Sequence, residues 1–436
     1  MQPEQILDLA SKVAEQAEVY YVQSEQTPIS FETNRLKQVT TRESRGVALR
    51  IIKNGRIGLA ATTRLDDIQQ LVDSAVEVSR FGAEAKFEFP ALSHYPQVNV
   101  YDPAVANVPV ERMVDLGNEI IERLLTFNPE LLCEASVSKN VAAVEILNSK
   151  GGRASYRKSV FGFSMEATLI RGTDMLFVGD SQSSCQPIFD FSRAVDKMIK
   201  QLEMAKRNTS ISSKSMPVIF VPQGVVSALI SPLASAFSGK TVLLGASPLG
   251  DKQGQQMFDS KISMWDDQTI DLRPGSSNCD DEGIPTRKIS LVDKGVIGEF
   301  LYDLQTAGLA GKKSTGSAGR SLESLPSPST NLLVFGTGNM SQDEMIADVK
   351  EGLLIWHLMG AGQGNVLGGD FSGNVLLGYK IENGEVVGRV KDTMVAGNVY
   401  NVLKDIVAVG SEAEWLGGSL CVPAIYVASL GVASRG

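Results

Sequence analysis

The sequence predicts an α+β fold in which N-terminal α/β units with antiparallel sheets precede a mostly β, glycine-rich C-terminal domain. Three observations support this fold class. Segments with helical spacing alternate with strand-like segments in the first half of the chain. The dipeptide Asn54-Gly55 separates two strand-like runs, and this pair is typical of a two-residue turn between antiparallel strands. The last part of the chain consists of short apolar runs separated by many glycines and turn residues.

The first predicted domain covers residues 1–95. Apolar residues at helical spacing from Pro3 to Val19 predict an amphipathic helix with proline in its first turn. A second helix is predicted from Leu65 to about Phe81. Between the two helices, the enrichment in β-forming residues predicts four strands, Val19–Ser24, Ile29–Glu32, Gly46–Lys53 and Arg56–Thr62.

The second predicted domain, 96–214, begins in a proline-rich connector that runs from Phe87 to Pro109. Helices are predicted at Val110–Phe127 and Phe191–Arg207, with strands between them. The polar stretch 208–215 marks the boundary to a third domain, 215–436. That domain opens with a strand at Met216–Val221 and an apolar helix at Pro222–Gly239, and then becomes rich in strands and turns.

Composition excludes several classes of protein. The chain has 436 residues, of which 43% are hydrophobic and 21% charged, as in globular proteins with a full core. A net charge of -9 argues against direct nucleic-acid binding. No apolar run reaches the roughly 20 residues of a membrane span, and no secretory signal is recognisable. Since the four cysteines are scattered, free thiols and a cytoplasmic location are expected.

Histidine is scarce, and this limits the catalytic chemistry available to the chain. Its two histidines are His94, in the predicted connector, and His357, beside Trp356 in an apolar run. A Ser-His-Asp triad or a histidine-based metal site would have to use one of them. The apolar neighbours of His357 predict that its side chain is packed or half-buried.

Three adjacent carboxylates stand ahead of a glycine in Asp280-Asp281-Glu282-Gly283. Such a group could bind a cation or an amine, or it could be a solvated acidic turn. Three consecutive side chains cannot converge on one ion. At least one is therefore expected to face solvent or an arginine such as Arg287 or Arg320.

Short motifs follow one another along almost the whole chain. Near the N-terminus they are Asn34–Lys37, Arg45–Arg50 and Asn54–Gly58. The later motifs are Val218–Gly239, Asp281–Gly283, Ser314–Gly316 with Arg320, Gly369–Ser372, Ile381–Glu385 and Ala396–Asn398. In this order they resemble the TldD/PmbA family, which is also described as modulators of DNA gyrase. The resemblance implies the TldD/PmbA type of fold.

The resemblance also implies that the helix Pro222–Gly239 lacks the zinc ligands and the catalytic carboxylate found in other members. One type of member, TldD, is a zinc peptidase whose helix carries His-Glu-x-x-x-His, with two zinc ligands and a carboxylate that polarises water. Without gaps, these three positions fall on Ile230, Ser231 and Ser235, and none of the three can perform that role. The chain therefore resembles the metal-free PmbA/TldE-type subunit, with no cofactor of its own and zinc only in a TldD-like partner.

The implied function is that of a non-catalytic subunit. It would pair with a TldD-like zinc peptidase as a heterodimer, or form a homodimer, and help to degrade or process unfolded peptides. An extended peptide would add as a strand to an edge of the C-terminal domain. Asp281, Glu282 and Arg320 are the candidate substrate or interface contacts.

Two alternatives from other classes remain open. A metal-independent peptide hydrolase would use Ser231, Ser235 or Cys421 as its nucleophile. A regulatory adaptor, in line with the gyrase description, would act through protein partners because the acidic net charge disfavours DNA.

Overall fold

The computed structural model describes residues 3–91 and 93–435, and their strands form two large sheets, one in each half of the chain. Residues 1–2 and 436, at the ends of the first and third predicted domains, lie outside the described residues, as does Leu92 in the predicted connector. Helices pack on largely antiparallel sheets, which confirms the predicted α+β fold class.

The sheet of the first half, here called the N-terminal sheet, has the strand order β4-β3-β1-β5-β6-β7, with β2 paired to β1. Every described pairing in it is antiparallel. Predicted domains 1–95 and 96–214 thus contribute strands to a single sheet. Its strands are β1 (Gln16–Glu32), β2 (Arg35–Val39), β3 (Arg42–Lys53), β4 (Arg56–Thr62), β5 (Leu132–Asn148), β6 (Arg153–Arg171) and β7 (Asp174–Ser184).

Helices cover the N-terminal sheet in two groups. Helices α1 and α2 pack with β1 and β3, whereas α4 and α5 pack with β5, β6 and β7. The bounds are α1 (Pro3–Ala10), α2 (Ile68–Ser79), α3 (Pro103–Ala106), α4 (Val110–Phe127) and α5 (Ser192–Met204).

The predicted helix Pro3–Val19 is wrong beyond Ala10. Strand β1 begins at Gln16, and residues 17–20 are all buried. The alternation of Gln16, Ala17, Glu18 and Val19 is too short to identify a strand. Ala17 also continues the helical spacing of the apolar residues before it.

The sheet of the second half, here called the C-terminal sheet, has the order β12-β11-β10-β15-β21-β9-β16-β17-β18-β8, with β19 and β20 joined to its centre. The predicted mostly β character of this half is thus confirmed. A separate hairpin is formed by β13 (Ala318–Gly319) and β14 (Ser327–Pro328). The sheet consists of β8 (Asn208–Thr209), β9 (Lys214–Phe220), β10 (Met264–Asp267), β11 (Lys288–Asp293), β12 (Val296–Ile297), β15 (Leu333–Phe335), β16 (Glu351–Met359), β17 (Asp370–Glu382), β18 (Glu385–Val390), β19 (Thr393–Asn398), β20 (Ile406–Leu416) and β21 (Leu420–Ser434).

Short helices connect the strands of this half. They are α6 (Pro222–Val225), α7 (Ser231–Phe237), α8 (Gly239–Leu243), α9 (Leu304–Leu309), α10 (Gln342–Asp348) and α11 (Val399–Val402). A π-helical turn, Val226–Ile230, lies between α6 and α7, and a 3-10 turn covers Ala361–Gln363. None of the helices in the described ranges is both long and apolar enough to cross a membrane.

One hydrophobic core joins the two halves. Phe31 and Val137 of the N-terminal sheet belong to the same buried cluster as Ile219, Leu354 and Tyr379 of the C-terminal sheet. The predicted boundary near residue 215 therefore separates two sheets but not two independent cores.

Candidate functional site

The apolar helix predicted from Pro222 to Gly239 is built from α6, the π turn and α7 in succession. Pro232 has no N–H group, and in a regular α-helix its ring would clash with the carbonyl of Ala228. A widened turn directly before it relieves that clash. Ser231 is exposed, and Ile230 and Ser235 are half-buried.

This helix is fixed against β16 by close backbone packing and by one hydroxyl. Gly224 lies so near the strand that a Cβ atom there would come within 2.4 Å of the Ile355 carbonyl oxygen. The Ser227 hydroxyl donates to the carbonyl of Gly224 (3.0 Å) and accepts from the N–H of Leu358 (3.2 Å). The helix therefore has a defined position at the boundary of the two halves.

The side chains of this helix do not fit a zinc ion. Ile230 offers no donor atom, and the hydroxyls of Ser231 and Ser235 are poor zinc ligands. Across residues 3–91 and 93–435, no group of three or more His, Cys, Asp or Glu side chains has a geometry that could hold a metal ion.

Cys421 is not activated as a nucleophile or a ligand. It lies half-buried on β21, opposite Val334 and Trp415 of neighbouring strands. Burial raises the pKa of the thiol, and the nearby Arg273 guanidinium opposes this only in part. Since the thiolate is the reactive form, a raised pKa disfavours catalysis by this residue at neutral pH.

The acidic turn at Asp280–Gly283 is not solvated, contrary to one of the two predicted possibilities. Asp280 and Glu282 are buried. One oxygen of the Asp280 carboxyl accepts the N–H groups of Glu282 and Ile284, both at 2.9 Å, and the other accepts that of Ala318 at 3.0 Å. The Asp280 side chain thus holds the turn together and ties it to Ala318.

Glu282 belongs to a chain of buried ion pairs that links the two halves. Arg50 donates to Glu282 at 2.6 Å and to Glu18 at 2.9 Å. Glu18 also accepts from Arg320 at 2.8 Å. The side chains of these four residues are at most 2% exposed.

Aromatic rings and opposing charges set the electrostatics of this network. The Arg50 guanidinium lies 5.0 Å from the ring centres of both Phe87 and Phe89. Burial by itself would raise the pKa of Glu18, but the guanidinium groups of Arg50 and Arg320 outweigh it and hold that pKa below its usual value. For Glu282 burial prevails over Arg50, and its pKa is raised.

The three predicted contact residues therefore have intramolecular partners. Asp281 accepts the backbone N–H of Arg320 at 3.0 Å, whereas Arg287 pairs with Glu299 instead. The structure buries Glu282 and the side chain of Arg320 beneath the surface on which sequence reasoning had placed them. A role of Asp281, Glu282 or Arg320 in binding a substrate or a subunit stays a prediction.

A cleft of about 480 Å³ opens where the N-terminal sheet meets the C-terminal sheet, beside the helix described above. This is within the usual range for ligand sites, roughly 300–1,000 Å³. Strands β6 and β7 form one wall, and β16 and β17 form the other. Gln223 and Val226 lie where α6 passes into the π turn, and they close one side.

Three residues that line this cleft have buried polar atoms without partners. Among the described residues, no hydrogen-bond partner exists for Gln201 Oε1, for Trp356 Nε1 or for either amide atom of Gln223, although all of these atoms are buried. Sequence reasoning missed Gln201 and Gln223, because no motif marks a single glutamine. It also predicted a packed or half-buried His357, but that side chain is partly exposed and lines the same cleft as the buried Trp356.

Comparison with known proteins gives the family. The model of the PmbA/TldA metallopeptidase C-terminal domain matches residues 213–434, and that of PmbA/TldA metallopeptidase domain 1 matches residues 17–79. The first of these spans half of the chain. The chain belongs to the PmbA/TldD family.

Relatives of this PmbA/TldD family member match over nearly their full length. An uncharacterized protein of Methanocaldococcus jannaschii is 26% identical, covering 98% of this chain and 98% of the relative. The metalloprotease PmbA homolog of Haemophilus influenzae is 24% identical, covering 94% of this chain and 90% of the relative. The crystal structure of TldE from Thermococcus kodakarensis shares the fold, with a TM-score of 0.89, 22% identity and 99% coverage of both chains.

Proposed function

We propose that this chain is a non-catalytic, PmbA/TldE-type subunit of a cytoplasmic peptidase. It pairs with a TldD-like zinc peptidase as a heterodimer, and the pair degrades or processes unfolded peptides. The zinc belongs to the partner, and this chain has no cofactor of its own.

The observation that carries the proposal is the chemistry of the helix Pro222–Gly239. In a metallopeptidase family the ion needs ligands such as imidazole and a neighbouring carboxylate. This helix presents Ile230, Ser231 and Ser235 at the three positions. A family member that keeps the whole fold but has no ligands on this helix is best explained as the partner of a catalytic subunit.

Co-purification with a TldD-like subunit tests the proposal, with cleavage of unfolded casein followed for each protein alone and for the pair. We expect a complex whose cleavage exceeds that of either protein alone and is abolished by a strong chelator. The double variant Ser231→Ala/Ser235→Ala should leave cleavage by the pair within about twofold. Absence of a complex together with an unchanged cleavage rate would reject the proposal.

The metal-independent hydrolase corresponds to a different outcome of the same experiment. Cleavage by the isolated chain in the presence of chelator, lost in the double serine variant or in Cys421→Ala, would instead indicate a metal-independent hydrolase. Metal analysis is the independent check. We expect well under one zinc per chain, and stoichiometric zinc would contradict the proposal.

A further inference from the structure

Residues that line the cleft between the two halves carry buried hydrogen-bonding groups that the fold itself does not use. Gln201 is 1% exposed and Trp356 is 5% exposed, yet Gln201 Oε1 and Trp356 Nε1 lack partners within residues 3–91 and 93–435. Leaving a buried polar group unpaired costs about 1–3 kcal/mol. Several such groups around one cavity therefore point to a ligand that completes their hydrogen bonds.

The identity of these groups indicates the chemistry of that ligand. The indole nitrogen of Trp356 can only donate, and the free oxygen of Gln201 can only accept. The Gln223 amide, whose two polar atoms are also unpaired, can do both. A ligand that satisfies all of them carries donors and acceptors close together, as amide groups do.

The charges around the cleft disfavour an anionic ligand. Among the described residues that line it, none is a lysine or an arginine. Two carboxylates, those of Glu166 and Asp180, line it. The ammonium of Lys197, 5.7 Å from the ring centre of Trp356, is already paired with Glu414 at 2.5 Å and with Asp180 at 3.5 Å. Burial lowers the pKa of His357, and Glu166 opposes this only in part, so this imidazole is mostly uncharged at neutral pH.

Strand β7 supplies backbone groups with which a ligand in the cleft could pair. It is the last strand of the N-terminal sheet, and β6 is its only strand partner in the described part of the chain. Its first residues are covered, because Arg389 binds the Asp174 carboxylate and the Met175 carbonyl. The stretch from Phe177 to Ser181 lines the cleft. An unpaired strand edge can bind an extended chain through backbone hydrogen bonds.

We infer that this cleft binds an uncharged, internal segment of an extended peptide. The peptide backbone lies along Phe177–Ser181 of β7, and its amide groups pair with Gln201, Gln223 and Trp356. Apolar side chains of the peptide contact the apolar part of the walls, which includes Val226 and Leu377. The inference rests on the proposed function and assigns to this chain a peptide-holding site of its own.

Peptide binding by the isolated chain, without any peptidase, tests the inference separately from the proposed function. The probe is a fluorescein-labelled, acetylated and amidated hexapeptide of alternating valine and asparagine, followed by fluorescence anisotropy. We expect Gln223→Leu and Trp356→Phe each to weaken binding by about three- to tenfold, as expected for one lost hydrogen bond. The matched control is Trp265→Phe, outside the cleft, which should keep Kd within about twofold.

Two further probes avoid any dependence on variants. Methylating alternate backbone nitrogens of the peptide should abolish binding to the unchanged protein, because a strand edge requires those N–H groups. A free carboxylate at the peptide's C-terminus should not tighten binding. The inference is overturned if the hexapeptide does not bind, if the methylated peptide binds equally well, or if both cleft variants bind like the unchanged protein. Failure of co-purification with a peptidase would reject the proposed function alone.

Discussion

Arg50 is a buried guanidinium whose two partners come from distant parts of the chain, Glu18 on β1 and Glu282 in the acidic turn. Removing one member of a buried ion pair leaves the others charged and desolvated. This usually costs about 3–5 kcal/mol, whereas an exposed pair contributes about 0–1 kcal/mol. For the stability of the fold, the burial of an ion pair thus matters more than the distance between its charged atoms.

Arg50→Met should therefore lower the free energy of unfolding by about 3–5 kcal/mol. The matched control is Arg287→Met, because Arg287 also pairs with a glutamate at 2.6 Å but both side chains are 46% exposed. The control should cost at most about 1 kcal/mol. Urea unfolding of the two variants makes the comparison, and equal losses would contradict the role assigned to the buried network.

Asp266 is a buried carboxyl outside this network, and its contribution to stability depends on pH. One oxygen accepts the N–H groups of Asn331 (3.0 Å) and Leu332 (2.7 Å), while the other has no partner among the described residues. Burial raises the pKa of Asp266 to about 6. The folded state therefore holds a proton that the unfolded state loses near pH 4.

Stability should consequently fall as the pH rises from about 4 to about 7, by about 3 kcal/mol from this group. Asp266→Asn keeps the accepting oxygen but cannot titrate. The difference in free energy of unfolding between the unchanged protein and this variant should therefore decrease across the interval. Asp66→Asn, at an exposed carboxyl, should keep the pH dependence of the unchanged protein. A constant difference between the unchanged protein and Asp266→Asn would reject the assignment.

At the scale of elements, local patterns predicted the regular pieces well. Helix Val110–Phe127 and strand Arg56–Thr62 have the predicted bounds, and Asn54 and Gly55 both have the positive φ that their hairpin turn requires. In these segments, residues that are adjacent in the sequence are sufficient to predict the secondary structure. The start of strand β1 is different, since residues 16–19 also fit the helical spacing of the residues before them, whereas Val19–Ser24 and Ile29–Glu32 were predicted as strands.

The candidate site could be predicted only in part, for a related reason. The helix at 222–239 and the residue Glu282 were found, because motifs mark them. Their surroundings depend on contacts between distant segments, such as the 232 residues that separate Arg50 from Glu282. No local pattern encodes such a pairing, and the same holds for the glutamines of the cleft.

The substitution Gly224→Ala tests how tightly the helix that begins at Pro222 is fixed to β16. In a helix, alanine is ordinarily more stable than glycine by about 1 kcal/mol. Here the new Cβ would meet the Ile355 carbonyl at 2.4 Å, so Gly224→Ala should instead lower the free energy of unfolding by about 1–3 kcal/mol. Gly362→Ala is the control, since a Cβ there meets nothing within 4 Å, and it should be neutral within about 0.5 kcal/mol. Thermal melting distinguishes the two, and similar midpoints would show that the helix can move.

At the scale of the whole molecule, the shared core makes the two halves dependent on each other. Phe31 of the N-terminal sheet and Tyr379 of the C-terminal sheet lie in one buried cluster, and the pair Glu18–Arg320 crosses the same boundary. Separating the halves would expose apolar surface and leave charges unpaired. Neither sheet is therefore expected to remain folded once the other has unfolded.

Unfolding in urea should accordingly show a single transition. Tryptophan fluorescence reports on the C-terminal half, which contains Trp265, Trp356 and Trp415, while far-ultraviolet circular dichroism reports on both halves. The two midpoints should coincide, and Arg50→Met should shift both to the same lower urea concentration. Two resolved midpoints would show that the halves unfold independently.

The central position of β21 also sets an order of events during synthesis. Strand β9 lies midway along the chain, yet its pairing with β21 joins residues 214–220 to residues 425–432. While the ribosome is still making the segment between them, β9 first lacks both of its strand partners, and after β16 has paired with it, the edge that binds β21 stays unpaired. Such exposed edges are prone to association between nascent chains. The C-terminal sheet can close only after residues 420–434 have emerged, so these strand edges stay exposed until that segment has been made.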